Sequence, residues 1–135
     1  MGLGIGIHNT PGSHYVVLPQ AVHAAATATE ERALIFFSQA VKIIGMTLIN
    51  DAAVTGNDTN RTNLNFKDRG TDGLGTTEKA NFDLATGTNL VAYLGKAVTI
   101  TAWTQAAASA IGLEYEKVGT GLAVTCTIVL EFQYV

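Results

Sequence analysis

The chain has 135 residues, enough for one domain, and its 47% hydrophobic content excludes a disordered tail. Charged residues make up only 14%, the net charge is −3, and the eight basic residues are scattered, which argues against a phosphate-neutralising nucleic-acid face. Its single cysteine, Cys126, cannot form an internal disulfide, and no apolar run approaches the roughly 18 residues of a membrane-spanning helix.

Residues 1–13 read as an arm rather than as part of the domain. Gly2, Gly4 and Gly6 alternate with Leu3, Ile5 and Ile7. Glycine makes such a segment costly to order alone. Two readings stay open: a frayed terminus, or a strand whose apolar residues add to another chain. The opening has neither the basic region nor the long apolar core of a signal peptide. Residues 14–135 read as a single β-sandwich domain.

His14 to Leu18 is the first predicted strand, closed by Pro19. Residues 20–32 are ambiguous: Ala24, Ala25 and Ala26 favour a helical turn, while Thr27 and Thr29 favour extended chain. Leu34 to Phe37 is a short buried strand. Val41 to Ile49 is apolar on both faces for part of its length, which predicts a central strand. Thr55-Gly56-Asn57-Asp58-Thr59-Asn60 is the clearest loop. Asn63 to Lys67 then alternates, with Leu64 and Phe66 inward. A further strand is expected around Ala80 to Leu84.

The last third carries the strongest pattern. Leu90 to Leu94 and Ala97 to Trp103 read as strands, with Val98 and Ile100 on one face and Thr99, Thr101 and Trp103 on the other. Residues 104–110 are ambiguous between a helical turn and a loop. Ile111, Leu113 and Tyr115 alternate. The final stretch puts Leu122, Val124, Cys126, Ile128, Leu130, Phe132 and Tyr134 on one face, a period of two that no helix sustains. About eight evenly spaced strands joined by Gly and Asn turns predict an all-β, antiparallel sandwich or barrel.

No catalytic, cofactor or metal constellation emerges. His8, His14 and His23 lack the close spacing of zinc ligands. Asp58 with Asn57 and Asn60 offers oxygens for Ca²⁺, but Asx turns account for the same residues. Glu114 and Glu116 share a strand face about 7 Å apart, as an acid–base pair would, yet lack an apolar setting to raise a pKa. Tyr15 and Trp103 are candidate aromatic anchors, joining Leu3, Ile5 and Ile7 as candidate interface residues.

Two stretches carry a family resemblance. Ala52-Ala53-Val54-Thr55-Gly56-Asn57-Asp58-Thr59-Asn60 precedes the strand Thr62-Asn63-Leu64-Asn65-Phe66. Leu113-Glu114-Tyr115-Glu116-Lys117-Val118-Gly119-Thr120-Gly121-Leu122 precedes the final strand. With their spacing they span roughly residues 33–135 and resemble tailed-phage capsid decoration, or cement, proteins. The resemblance implies a jelly-roll-like sandwich with an extended N-terminal arm. It implies a non-enzymatic virion protein on the outer capsid surface, bound to the major capsid protein, a homo-oligomer with a trimer favoured. Neither cofactor, nucleic acid nor membrane enters that reading. The alternative is a carbohydrate- or receptor-binding sandwich module of a phage head fibre or tail.

Overall fold

A computed structural model describes residues 12–135. Nine strands form, and there is no helix among the described residues. They are β1 (His14–Pro19), β2 (Glu30–Phe37), β3 (Val41–Asn50), β4 (Arg61–Asp68), β5 (Thr77–Asp83), β6 (Lys96–Ala97), β7 (Trp103–Gln105), β8 (Ser109–Val118) and β9 (Cys126–Tyr134).

Period-two alternation builds the two long C-terminal strands. Along β9, Cys126, Ile128, Leu130 and Phe132 are buried while Thr127, Val129, Glu131 and Gln133 are half-exposed. Along β8, Ile111, Leu113 and Tyr115 are wholly buried. One sheet runs β1-β9-β3-β6, with β7 also on β3; the other runs β2-β8-β4-β5. Every pairing is antiparallel.

The pairings nest. β4 lies against β5, β3 against β6 and β7, β2 against β8, and β1 against β9. This is one long hairpin with the β4–β5 connection at its tip, rolled so that β3·β9 and β4·β8 close the two sheets. A hairpin rolled in this way is a jelly roll, a β architecture that leaves few open edges. The core between the sheets includes Ile43, Leu48, Leu64, Phe66, Trp103, Leu113, Ile128 and Leu130.

Several local expectations sharpen. Residues 20–29 hold a turn and a lone bridge from His23 to Val124, not a helix. β3 is central in its sheet, as its sequence predicts. The run Ala97 to Trp103 is not one strand. It splits into β6 and β7, and Ala102, just before β7, adopts φ +35°. Leu90 to Leu94 is not a strand either. Leu90 bridges Val54, and the chain then turns, with Leu94 N donating to Val91 O at 3.2 Å.

β3 fixes the two ends of the sandwich. It starts at Val41 beside Tyr134 and finishes at Asn50 beside Cys126. Its ten residues span about 30 Å. The first end holds His14 and the connections 38–40, 69–76 and 106–108; it is called the entry end below. The opposite, loop end holds the connections 20–29, 51–60, 84–95 and 119–125.

Candidate interaction surface

Among the described residues, β1 and β2 pair on one side only, and they lie over one another at the same margin of the two sheets. Between them, at the entry end, runs a groove of about 320 Å³ lined by residues that include His14, Tyr15, Ile35, Phe36, Phe37 and Phe132. Its floor is an aromatic cluster around Phe132. Ring centroids lie 5.7 Å from His14, 5.1 Å from Phe37 and 5.6 Å from Tyr134. These separations suit stacked and edge-on packing. On its rim, Tyr15 is 66% exposed and Phe36 62%. A hydrogen bond to the Glu131 carboxylate, its cross-strand partner, holds the Tyr15 phenol above its ordinary pKa. Tyr15 thus stands exposed at the rim of the groove.

A second apolar surface stands at the loop end. Val91, Tyr93 and Leu94 are exposed, Tyr93 by 77%. Tyr93 has φ +59°, a conformation disfavoured for a bulky residue. The backbone is pinned there. Tyr93 N donates to Asn50 O at 2.9 Å, and Leu90 and Val54 exchange two hydrogen bonds of 2.9 Å. Asn50 is buried. Its side chain donates to Ala52 O at 2.6 Å and accepts from Thr125 N at 2.9 Å. Val91, Tyr93 and Leu94 thus present large apolar side chains to solvent from a backbone tied down by hydrogen bonds. Its only signal in the sequence is the run Leu90-Val91-Ala92-Tyr93-Leu94, which reads equally well as a strand.

Trp103 is the correction. The sequence put it on one face with Thr99 and Thr101 and favoured an interface or second-layer contact over core packing, which it left open. It is wholly buried, because the positive φ at Ala102 reverses the parity of the chain. Its indole N–H donates to Gln105 Oε1 at 3.0 Å. The Gln105 amide donates to Asp68 Oδ1 at 2.9 Å and Ser109 Oγ at 2.7 Å. Trp103 therefore anchors a buried polar network at the entry end. The remaining candidates, Leu3, Ile5 and Ile7, lie outside the described residues.

The sequence's chemical candidates are tied up in the fold. Asn57 Oδ1 accepts from Thr59 N at 2.8 Å and Asn60 N at 2.9 Å, as in an Asx turn. Asp58 Oδ1 accepts from Thr86 N at 2.9 Å, which lowers its pKa. Asn60 Oδ1 accepts from Thr120 N at 2.9 Å. Asp58 and Asn60 thus tie this loop to its neighbours, and Asn57 shapes it from within. His23 is wholly buried, stacked on Tyr115 at 4.7 Å, with Nδ1 2.9 Å from Glu30. That hydrogen bond holds Glu30 below its ordinary pKa. Arg32 also reaches Glu30 and lies 4.7 Å from the Tyr115 ring centroid. Burial pushes the Cys126 thiol up to about 11, so it stays protonated and unreactive at neutral pH.

Glu114 and Glu116 do share a face, the outer face of the second sheet. Glu114 meets Lys67 Nζ at 2.6 Å and Asn65 Nδ2 at 2.9 Å, and Glu116 meets Asn63 Nδ2 at 3.1 Å. Burial pushes the Glu114 pKa up, but Lys67 and Asn65 more than offset this, and it ends below 4.5. A carboxyl held ionised does not serve as a general acid. Its folded-state pKa is depressed, so its stabilisation is full above the unfolded value and is lost as pH falls through the folded value. The urea midpoint is therefore expected to drop on acidification below pH 4.5. A Lys67→Met variant, lacking the cation, is expected to show a shallower drop. Equal slopes in the two proteins would refute the pairing as its source.

The fold defines the class: a jelly-roll β-sandwich, an architecture shared by viral capsid domains, lectin domains and cupins. No family model and no curated protein matches the sequence. Two solved chains are similar. One, described as "Structure of infectious bursal disease virus Gx strain", is 13% identical with a TM-score of 0.39, covering 94% of this chain and 33% of that one. The other, of the Gt strain of the same virus, is 11% identical with a TM-score of 0.29, covering 95% and 43%. The chain thus spans 33% and 43% of their lengths. The jelly-roll assignment rests on the strand order.

Proposed function

We propose that the chain is a virion structural protein without enzymatic activity: a capsid decoration protein that sits on the outer surface of the head and clamps neighbouring major capsid subunits. In this reading it works as a homo-oligomer, with a trimer at a local three-fold position the favoured form. The observation that carries the proposal is the pair of apolar surfaces at opposite ends of one rigid sandwich. The entry end offers Tyr15 and Phe36, the loop end Val91, Tyr93 and Leu94. A clamp needs two contact faces held at a fixed separation, which one packed sandwich supplies. The resemblance of the Ala52–Phe66 and Leu113–Leu122 stretches to decoration proteins supports the same reading.

The test is co-sedimentation with tailed-phage capsids stripped of their decoration, alongside a light-scattering mass in solution. The native chain is expected to bind the lattice. A Tyr93→Asp, Leu94→Asp variant is expected to bind at least about 30-fold more weakly, since truncating a central aromatic anchor typically costs about 2 kcal/mol or more. Its circular dichroism should be unchanged, because both side chains are exposed. Undiminished binding by the variant would remove the loop from the interface. Binding to glycans but to no capsid lattice would favour the receptor-binding module.

A further inference from the structure

Sheets keep their open margins from pairing with other chains by charge, by bulges or by shortness. Among the described residues, three of the four margins have such a device. β5 carries Glu78 and Lys79. β2 opens on Glu30, Glu31 and Arg32, and its register shifts between Ala33 and Ile35. β6 and β7 are only two and three residues long. β1 has none of these. Its six residues include no Asp, Glu, Lys or Arg, and its register against β9 runs unbroken. Tyr15 and Val17 stand exposed on its outer face, and Phe36 is exposed at the same margin of the other sheet.

The pairing with β9 fixes which backbone groups this edge offers. Gln20 N donates to Cys126 O at 3.0 Å, one step beyond the Pro19–Thr127 pair. Along an antiparallel ladder, residues whose N–H and C=O face the neighbour alternate with residues whose groups face away. Counting back from Gln20, Leu18, Val16 and His14 face β9. Tyr15, Val17 and Pro19 therefore face the open side. The same alternation holds across β9, where Asp51 N donates to Thr125 O at 3.0 Å on the β3 side. Proline has no N–H. The edge thus presents two donors, Tyr15 N and Val17 N, and the carbonyl oxygens of Tyr15, Val17 and Pro19.

A second copy of the same edge matches this set. About a two-fold axis normal to the sheet, residues of equal parity oppose one another, so each face of the sheet stays continuous. With the axis at Val16, Tyr15 exchanges two hydrogen bonds with the partner's Val17, and Val17 exchanges two with the partner's Tyr15. Every backbone group of these two residues is then satisfied. With the axis at Val17, Tyr15 O meets the partner's Pro19 and finds no donor. With the axis at Tyr15, Val17 falls opposite Ser13, outside the strand. The Val16 register also sets Tyr15 beside the partner's Val17 on the outer face, a favourable aromatic and β-branched pair. We propose that the open edge of β1 pairs antiparallel with the same edge of a second copy, about a two-fold axis at Val16, and joins their β1-β9-β3-β6 sheets into one. This goes beyond the proposed function and holds with or without a capsid. It is compatible with a three-fold contact elsewhere, since two-fold and three-fold axes together close an assembly of two trimers.

The test is the light-scattering mass of the full-length chain over a concentration series, beside that of Val17→Pro. Proline is tolerated on an edge strand where the missing N–H would face outward, so the circular dichroism is expected to be unchanged. The variant removes one donor from each copy, and association is expected to weaken at least about tenfold. At a concentration where the native chain is fully associated, the mass is expected to halve, from two chains to one or from two trimers to one. Cross-linking gives a second reading, which decides should Val17→Pro fail to fold. The axis sets Val16 opposite its own counterpart in a close pair, with Cα atoms about 4.5 Å apart, within reach of a disulfide. Val16→Cys, oxidised under native conditions, is expected to link two chains. Val17→Cys, which opposes the partner's Tyr15, is expected to link less than about a tenth as many. The native Cys126 is buried and does not compete. A native monomer at every concentration, a mass that folded Val17→Pro leaves unchanged, or equal cross-linking at the two positions would overturn the inference.

Discussion

Trp103→Ala is expected to remove about 4 kcal/mol of stability, a large share of the roughly 5–15 kcal/mol that holds a typical domain folded. The indole is wholly buried between the sheets, so truncation leaves a cavity that a close-packed core cannot fill. Loss of the indole N–H also strips Gln105 Oε1 of its donor, in a side chain itself wholly buried. Trp103→Phe separates the two effects. It retains most of the apolar volume but not the donor, and is expected to cost about 2 kcal/mol. Urea unfolding followed by far-ultraviolet circular dichroism checks both. The same experiment decides between the structural placement and the outward placement predicted from alternation. An outward tryptophan would leave monomer stability within about 0.5 kcal/mol on truncation and would instead weaken association.

The reason the sequence misplaces Trp103 is specific. Alternation propagates parity along a strand, and one residue with positive φ inverts everything after it. That residue is Ala102, and nothing in an alanine announces a left-handed backbone. Where no such residue intervenes, the pattern is read correctly. Cys126 to Tyr134 and Ile111 to Tyr115 keep their faces through the whole strand. Leu64 and Phe66 are inward as expected, and Phe82 and Leu84 likewise. The exposed loop at Val91 to Leu94 escaped notice for a different reason. Its residue types are those of a strand, and partners distant in sequence, Asn50 and Val54, help to hold it in a turn.

The two apolar surfaces differ in how they are built, which bears on how they would work. The groove at the entry end is concave, formed by two strands at a margin of the roll. The loop end is a projection whose backbone is held in a strained conformation by buried hydrogen bonds. A preformed projection loses little conformational entropy on docking. In the proposed role, that would favour the loop end as the face that meets the capsid.

Gly56→Ala is the second substitution with a large expected effect, about 3 kcal/mol. Gly56 does not have a positive φ; its role is close approach. A Cβ there would overlap the carbonyl oxygens of Ala85 and Thr88 and lie 2.8 Å from the Ala85 carbonyl carbon. These are backbone atoms in a turn closed by Thr88 N donating to Ala85 O at 2.9 Å, so they cannot swing aside as a side chain would. Gly56 N also donates to Asn89 Oδ1 at 2.9 Å, beside the Leu90–Val54 bridge that pins the Tyr93 loop. Displacing the turn therefore disturbs the exposed apolar projection as well as the fold. Gly87→Ala is the matched control. Gly87 has φ +87° with open space around it, so its substitution carries only the left-handed backbone cost of about 1 kcal/mol. Thermal and urea unfolding of the two variants should rank Gly56→Ala well below Gly87→Ala. Lattice binding measured at a temperature where both are folded should fall for Gly56→Ala alone. Equal stabilities would mean that the 56 and 85–88 segments separate freely, and the Tyr93 loop would then lose the rigid support on which its role as a contact face depends.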